Sequence, residues 1–283
     1  MRLVALSLLL APWLLPAQPQ RIVSTTPSIT DMLFALGLGD RVVGVTTFCR
    51  YPEEAKAIAK VGDYIHPNLE VIVSLKPDLV FIQENPVNLA AKLRALRLEV
   101  IELRYRSVRD IYDSLAVIGD ATGAPEQARR VAAEIRSELS RIRKRAEALP
   151  ERRMMFLIGR APNAIEGMFA VGQASYLNEL IAIAGGTNVF ADAGAPYPKV
   201  SLEEVLAKDP EVIIDMGDMA NTVNVTDEHK RGVVRLWQRY PSLTAVRRGA
   251  VFAVASDIFV VPGTRMVDAA REFARMLHPE AGF

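Results

Sequence analysis

Cysteine is nearly absent from this chain of 283 residues, in which Cys49 is the single example. One thiol forms no internal disulfide, so packing alone must hold the fold together. An excess of charge of either sign is absent too, because 34 Lys and Arg residues balance 33 Asp and Glu residues to a net charge of +1. This balance argues against a nucleic-acid surface or a membrane-binding face.

Enzyme signatures are missing as well. The sequence has no G-x-S-x-G elbow, no G-x-x-x-x-G-K-S/T phosphate loop, and no G-x-G-x-x-G after the first predicted strand. Its acidic residues are scattered and its three histidines are far apart in sequence, which argues against an acid/base pair and against a zinc or manganese site. We therefore expect no catalytic residues, no metal ligands and no cofactor. An exported α/β enzyme stays open as an alternative.

Long hydrophobic runs are limited to the N-terminus. Residues 1–20, MRLVALSLLLAPWLLPAQPQ, continue from a basic residue into an apolar run that Pro12 interrupts, and they end near the small residue Ala17. The run is short for a bilayer span, so it predicts a cleaved secretory signal peptide rather than a retained membrane anchor. No cysteine lies near its end to accept a lipid. We expect export of the mature protein, to the periplasm in a two-membrane bacterium.

The middle of the chain predicts one long helix over residues 125–150, PEQARRVAAEIRSELSRIRKRAEALP. Pro125 suits the first turn of a helix, and Pro150 suits its end. At about 1.5 Å per residue the segment spans roughly 36 Å. Its apolar residues recur at steps of three or four and form a single stripe: Val131, Ile135, Leu139, Ile142, Ala146 and Leu149.

The segments on either side of this helix resemble each other. NLEVIVSLKPDLVFI at 68–82 aligns without gaps with SLEEVLAKDPEVIID at 201–215, so that Glu70 falls on Glu203. Upstream, residues 28–45 match residues 175–192 in the same order. Helices and strands that alternate through short loops predict a largely parallel sheet in each half. We therefore predict two similar α/β lobes, at 21–124 and 151–283, joined by the helix at 125–150.

Candidate ligand-binding residues follow the predicted strands. The turn Thr25-Thr26-Pro27 leads from the first strand into a helix that Ser28 is expected to cap, with Asp31 completing an S-x-x-D box. Backbone amides at such a helix start hold polar or anionic groups. Aromatic residues at strand ends and in loops of both halves indicate a wide, flat, partly apolar ligand: Phe48, Tyr64, Phe169 and Tyr197.

Five phrases of the sequence together resemble the periplasmic binding proteins for cobalamin and iron complexes. They are RIVSTTPSITDMLFALGLGDRVVGVT, YPEEAKAIAKVGD, NLEVIVSLKPDLV, GGTNVFAD and APYPKVSLEEVLAKDPEVII, and they follow the family's order. The resemblance runs from Arg21 to about Leu277 and is greatest to the members that bind cobalamin for an ABC importer. It implies the class III arrangement, in which two Rossmann-like lobes with parallel sheets are joined by a single long α-helix and move little on binding.

The resemblance also implies which residues bind the ligand. They are Thr26, Pro27, Ser28, Phe48, Tyr64, Gln83, Phe169, Tyr197 and, as a polar contact of the second lobe, Asp257. Cobalamin-binding members often have tryptophan where this chain has Tyr64, Gln83 and Tyr197, and Gln83 cannot stack on a macrocycle.

Heme or a ferric siderophore is the alternative ligand for the same cleft. For an iron complex, the metal ligands would come from Tyr64, Tyr197 or His66. An anionic chelate would meet basic side chains, for which the candidates are Arg50, Arg160 and Arg265.

Glu70 and Glu203 receive a docking role from the same resemblance. One acid on the outer rim of each lobe would meet arginines of the two permease subunits of an ABC transporter, which works with its ATPase subunits. Each glutamate also lies in the first turn of a predicted helix, where the helix dipole favours an acid. The implied protein is a monomer that captures a small molecule in the periplasm and delivers it without turnover.

Overall fold

The computed structural model describes residues 18–84, 87–217 and 225–283. Most of the predicted signal peptide at residues 1–20 therefore lies outside the described residues. Within these three ranges, no helix is both long enough and apolar enough to cross a membrane.

The first lobe is built on a fully parallel five-stranded sheet. Its strands and helices are β1 Ile22–Ser24, α1 Pro27–Ala35, β2 Val42–Val45, β3 Ala59–Lys60, α2 Leu69–Ser74, β4 Leu79–Gln83, α3 Leu89–Ala95, β5 Val100–Leu103 and α4 Val108–Thr122. The strand order is β3-β2-β1-β4-β5. The chain segments that follow β1, β4 and β5 therefore emerge side by side at one edge of the sheet.

The second lobe has a mixed sheet. Its elements are β6 Arg152–Gly159, β7 Met168–Ala170, α6 Tyr176–Ile183, β8 Gly186–Asn188, β9 Lys199–Val200, α7 Leu202–Lys208, β10 Val212–Asp215, α8 Asp227–Trp237, α9 Thr244–Arg247, β11 Val251–Ala253 and α10 Met266–Leu277. Strands β8, β6, β10 and β11 pair in parallel, as the sequence predicts. Strand β7 pairs antiparallel with the C-terminal half of β6, and β9 pairs antiparallel with β7. The sequence pattern does not reveal these two antiparallel pairs.

The central helix α5 spans Pro125–Ala146 and ends four residues before Pro150. Its buried face begins with alanines at 128 and 132, whereas the predicted Val131 is only partly buried. The reason is close packing on α4: a Cβ at Gly119 would lie 2.6 Å from the Cβ of Ala128. Because α5 also packs against α6 and α10, one hydrophobic cluster continues from the first lobe into the second.

The two lobes repeat each other in backbone detail. Lys76 and Asp209, which the sequence alignment makes equivalent, both have positive φ angles, of 46° and 36°. Arg21 in the first lobe and Arg153 in the second donate guanidinium hydrogen bonds to the carbonyl groups that end α2 and α7. Such cations satisfy the free carbonyls of a helix C-terminus. Helices α2 and α7 therefore hold equivalent places in the two lobes.

Arg160 forms a buried ion pair instead of facing a ligand. Its Nε donates to Asp215 Oδ2 at 2.9 Å, and the two side chains are 2% and 0% exposed. Trp237 Nε1 donates to the same oxygen at 2.7 Å, and the amide of Gly217 donates to Asp215 Oδ1 at 2.6 Å. Two nearby carbonyl oxygens accept from Arg160 Nη1. The prediction that Arg160 meets an anionic chelate is therefore wrong.

Arg160→Met should destabilise the protein strongly, because it leaves the carboxylate of Asp215 buried without its cation. We expect the free energy of unfolding to fall by about 3–5 kcal/mol, as measured by urea denaturation. Arg129→Ala is the matched control, since Arg129 pairs with Glu126 on the exposed face of α5; its loss should stay below about 1 kcal/mol. Equal losses in the two variants would contradict a stabilising role for the buried pair.

Candidate functional site

A cleft of about 470 Å³ lies between the two lobes. This volume is within the range of about 300–1,000 Å³ that is common for small-molecule sites. Its first wall comes from the first lobe: Thr26, Pro27, Ser28, Tyr64, Gln83, Glu84, Arg104, Tyr105 and Arg106. Its second wall comes from the second lobe: Ala174, Ser175, Tyr176, Pro196, Tyr197, Val260, Val261 and Pro262. A ligand in this cleft would contact both lobes.

The start of α1 brings unpaired hydrogen-bonding groups to the cleft. Thr26 is the N-cap residue and Pro27 follows in the first turn, but no side chain caps the helix. The predicted S-x-x-D box is therefore wrong: Ser28 lies inside the helix, and the carboxylate of Asp31 bonds elsewhere. Thr26 is 3% exposed, and its Oγ1 has no hydrogen-bond partner in the described residues. The amide of Ser28, in the first turn, has no acceptor within the helix.

Hydrogen bonds from buried hydroxyl groups fix the turn before α1. Ser24 Oγ donates to the carbonyl of Thr26 at 3.1 Å and lies 2.7 Å from Thr30 Oγ1. The amide and the hydroxyl of Thr25 both donate to the carbonyl of Phe81, each at 3.2 Å. The turn is thus tied to its own helix and to the neighbouring strand β4. We infer that its free groups are held in place before a ligand arrives.

Two tyrosines line the cleft from opposite lobes. Tyr64 Oη donates to the carbonyl of Glu84 at 2.6 Å, and Ser175 Oγ donates to Tyr197 Oη at 3.4 Å. Burial raises the pKa of both phenols, and the nearby charge of Glu84 raises the pKa of Tyr64 further. Both are therefore neutral phenols near neutral pH, and a ferric ion would have to displace their protons. Their rings offer apolar faces to a flat ligand.

Three of the predicted ligand-binding residues are not among those that line the cleft. Phe48 and Phe169 are exposed at the surface, and the guanidinium of Arg50 lies over the ring of Phe48 at 6.0 Å. Asp257 accepts two hydrogen bonds from the guanidinium of Arg265, at 2.9 and 3.0 Å. For these three residues, ligand contact stays a prediction. The structure does bring Thr26, Pro27, Ser28, Tyr64, Gln83 and Tyr197 together in one cleft.

His66 does not join the tyrosines. Its imidazole is exposed and lies 3.4 Å from the carboxylate of Asp63, outside the cleft walls. Across the three described ranges, no group of three or more His, Cys, Asp and Glu side chains is placed to hold a metal ion. The hypothesis that His66 ligates iron in the cleft therefore has no geometric support.

Charged residues of the cleft are the feature that the sequence analysis missed. Glu84 follows β4 directly, and Arg104 and Arg106 follow β5. Arg104 Nε donates to Glu84 Oε1 at 2.6 Å, and Arg106 Nη2 lies 3.5 Å from Glu84 Oε2. The signal was available, because RYR comes immediately after a predicted strand whose carboxyl end faces the cleft.

A clasp between the lobes lies beside the cleft. The amide and the hydroxyl of Thr264 in the second lobe donate to Asp31 Oδ2 on α1, at 2.5 and 2.9 Å. Arg265 Nε lies 3.7 Å from Asp31 Oδ1, and its guanidinium covers the ring of Tyr51 at 3.9 Å. Only glycine fits at 263, where a Cβ would clash with the carboxylate of Asp31. Arg265 therefore connects the two lobes and already faces carboxylates, which argues against its predicted role with a chelate.

Comparison with known proteins extends the sequence resemblance. A family model described as periplasmic binding protein matches residues 22–258. The vitamin B12-binding protein of Vibrio cholerae serotype O1 is 30% identical over 282 residues, which cover 98% of this chain and 96% of that protein. An uncharacterized ABC transporter substrate-binding lipoprotein of Bacillus subtilis (strain 168) is 29% identical over 271 residues, covering 93% and 81%. These matches include both lobes and the helix between them.

Solved structures show the same architecture. The crystal structure of a periplasmic vitamin B12-binding protein of Vibrio cholerae has a TM-score of 0.77 at 28% identity and covers 94% of this chain and 99% of that chain. A periplasmic heme-binding protein from Roseiflexus sp. RS-1 in apo form has a TM-score of 0.76 at 27% identity, covering 93% and 99%. The predicted fold of two α/β lobes joined by one long helix is confirmed.

Asp31→Asn tests the protonation of the clasp. Burial raises the pKa of Asp31 above its ordinary 3.8, against the opposing influence of Thr264 and Arg265. The wild-type carboxyl therefore favours folding most below pH 3.8 and loses this contribution as the pH rises through its folded-state pKa. The difference in free energy of unfolding, D31N minus wild type, should therefore increase between pH 3.8 and the folded-state pKa of Asp31. Above that pKa it should stay constant.

Urea denaturation between about pH 4 and pH 7 measures this difference. Asp63→Asn is the control: the amides of His66 and Ile65 lower the pKa of that exposed carboxyl below its ordinary 3.8, so its pH-dependent contribution lies below this range and the D63N difference should stay nearly flat across it. A D31N difference that falls as the pH rises would contradict the account of the clasp.

Proposed function

The chain belongs to the periplasmic binding protein family, and we propose that it captures cobalamin in the cleft between its lobes and delivers it to an ABC importer. It is a substrate-binding protein and not an enzyme, as the sequence analysis expects, and it works outside the cytoplasm with an ABC transporter as its partner.

The observation that carries the cobalamin proposal is the pair of tyrosine rings that face one cleft from opposite lobes. Tyr64 and Tyr197 offer flat apolar area at low cost in side-chain entropy, which suits a large ring system. Gln83 cannot stack, but its amide donates and accepts hydrogen bonds, and the corrin ring carries primary amide arms that match it. The 30% identity with a vitamin B12-binding protein over nearly the whole chain supports this choice.

The outer part of a corrinoid would extend beyond the cleft walls. We propose that Thr26, Pro27 and Ser28 contact the ring edge, and that exposed Phe48 and Phe169 contact the part of the ligand that emerges from the cleft. Asp257 is a contact in this scheme only if Arg265 releases it. Heme and ferric siderophores are the second candidate class, favoured by the likeness to a heme-binding protein.

Isothermal titration of the purified mature protein with cyanocobalamin, heme and representative ferric siderophores tests the ligand. We expect one-to-one binding of cyanocobalamin, and a loss of affinity of roughly tenfold in Tyr64→Ala and in Tyr197→Ala, because each removes a stacking surface. Tyr112→Ala, on α4 and outside the cleft walls, is the matched control and should bind as wild type. Binding of an iron complex in place of cyanocobalamin would overturn the assignment.

Export and assembly complete the proposal. We propose that residues 1–20 are a signal peptide, that the mature protein is a periplasmic monomer, and that its partner is a permease dimer with ATPase subunits. A pseudo-symmetric protein can meet a two-fold symmetric dimer through equivalent surfaces. The backbone repeat of α2 and α7 provides such surfaces.

The proposed docking surfaces consist of one acid and one aliphatic residue on each lobe. Glu70 and Glu203 are exposed in the first turns of α2 and α7, and neither forms an ion pair in the part of the chain described. Val73 and Leu206, three residues further along these helices, are 42% and 37% exposed. Residues three apart share one helix face. Each lobe thus offers a negative charge beside an apolar side chain, which fits a basic and partly apolar surface on each permease subunit.

Reversing both docking charges should separate transport from capture. In Glu70→Arg/Glu203→Arg, affinity for cyanocobalamin should match wild type, while stimulation of the cognate importer in proteoliposomes should fall at least tenfold through charge repulsion. Glu134→Arg/Glu147→Arg, on the exposed surface of α5 and just beyond its end, carries the same change in net charge and should stimulate normally. Unchanged stimulation by the first variant would refute the docking role.

A further inference from the structure

Charge is distributed unevenly between the two walls of the cleft. The first wall carries Glu84, Arg104 and Arg106, which sum to a net charge of +1. Among the described residues of the second wall, none is charged: they are Ala, Ser, Tyr, Pro and Val side chains. The cleft therefore has a cationic side and an apolar side. A ligand that matches it has an anionic group on one side of an otherwise apolar body.

The two arginines keep most of their donors free. Arg104 uses its Nε for Glu84, and Arg106 approaches the same carboxylate only at 3.5 Å. The described residues provide no acceptor for the terminal Nη groups of Arg104, and both side chains are largely exposed, at 69% and 79%. The hydrogen bond from Nε to Glu84 fixes the orientation of the Arg104 guanidinium and leaves its two Nη groups free to donate. Such a fixed fork matches the paired oxygens of a phosphate or a carboxylate.

The start of α1 adds to the same positive wall. Strands β1, β4 and β5 are neighbours in the sheet, so the turn at Thr26 and the arginines after β5 are separated by two strand spacings, or about 10 Å. The equivalent helix α6 is capped by the side chain of Ser175, whereas Thr26 Oγ1 has no partner in the described residues. The unpaired groups and the N-terminal end of the helix dipole therefore belong to the first wall, where they favour negative charge.

We propose that the first wall is an anion receptor in which Arg104 and Arg106 bind a phosphate or carboxylate group of the transported ligand, while the ligand's apolar body packs on the second wall. The net positive charge that remains beside Glu84 attracts the anion, and the fork of Arg104 fixes its orientation. This inference rests on the proposed function. In cobalamin the anionic group is the phosphate of the nucleotide loop; in heme it is a propionate carboxylate.

Paired ligands with and without the anionic group test the receptor directly. Cyanocobalamin is compared with dicyanocobinamide, which lacks the phosphate-bearing loop, and heme is compared with heme dimethyl ester, whose carboxylates are blocked. Each is titrated into wild type and into Arg104→Gln/Arg106→Gln. Arg129→Gln/Arg141→Gln is the matched control, since those arginines also pair with glutamates but lie on α5, outside the cleft.

We expect Arg104→Gln/Arg106→Gln to lose at least tenfold in affinity for the anionic ligand that wild type binds, which is cyanocobalamin or heme. For its partner without the anion, dicyanocobinamide or heme dimethyl ester, the loss should be less than twofold. The control variant should bind all four as wild type. A cyanocobalamin-specific loss identifies phosphate, and a heme-specific loss identifies carboxylate. Equal losses for both members of a pair, or no loss for either, would overturn the inference alone. Failure of wild type to bind any of the four would overturn the proposed function and the inference with it.

Discussion

The shared hydrophobic core around α5 is the constraint on which the rest of the structure depends. Its small residues let α4 pack closely, and its other buried residues contact the second lobe through α6 and α10. Because native cores are close-packed, the lobes cannot rotate far without opening this core. The cleft is therefore largely formed before a ligand arrives. The same rigidity keeps the exposed faces of α2 and α7 at a fixed separation.

The internal repeat sets the fold of both lobes but not the chemistry of the two cleft walls. Helices α2 and α7 share a side-chain cap at the N-terminus, a left-handed residue after the C-terminus, and an arginine that donates to the last carbonyl groups. These repeated features are not part of the cleft walls. The segments after the strands differ: the first wall carries Arg104, Arg106 and the unpaired hydroxyl of Thr26, whereas the second wall carries only uncharged side chains among the described residues. The fold thus follows the repeat, whereas the charge and polarity of the cleft follow the loops.

Local patterns in the sequence were sufficient for the two lobes, the long helix and the parallel strands, but not for the antiparallel strands β7 and β9. Asn68 and Ser201 cap their helices with their side chains, and Gly123 ends α4 with a positive φ of 73°, which are the positions that these residue types favour in helices. Pairing between distant residues was not accessible: Asp31 bonds to a residue 233 positions away, and Arg160 bonds to one 55 positions away. A helix start with Ser and Asp three apart has the pattern of a capping box, and only the packed second lobe reveals a different partner. The strand-end pattern selected Tyr64 and Tyr197, which line the cleft, but also Phe48 and Phe169, which do not, and Gln83 was selected only by the family resemblance.

The central claim is that a corrinoid lies between the two lobes, and the cobalt ion offers a direct test. Crystals of the mature protein grown with cyanocobalamin would locate the metal by its anomalous scattering. The account predicts one cobalt site in the cleft, between the walls that contain Tyr64 and Tyr197. A cobalt site on an outer face of either lobe, or crystals without cobalt from protein saturated with the ligand, would contradict it.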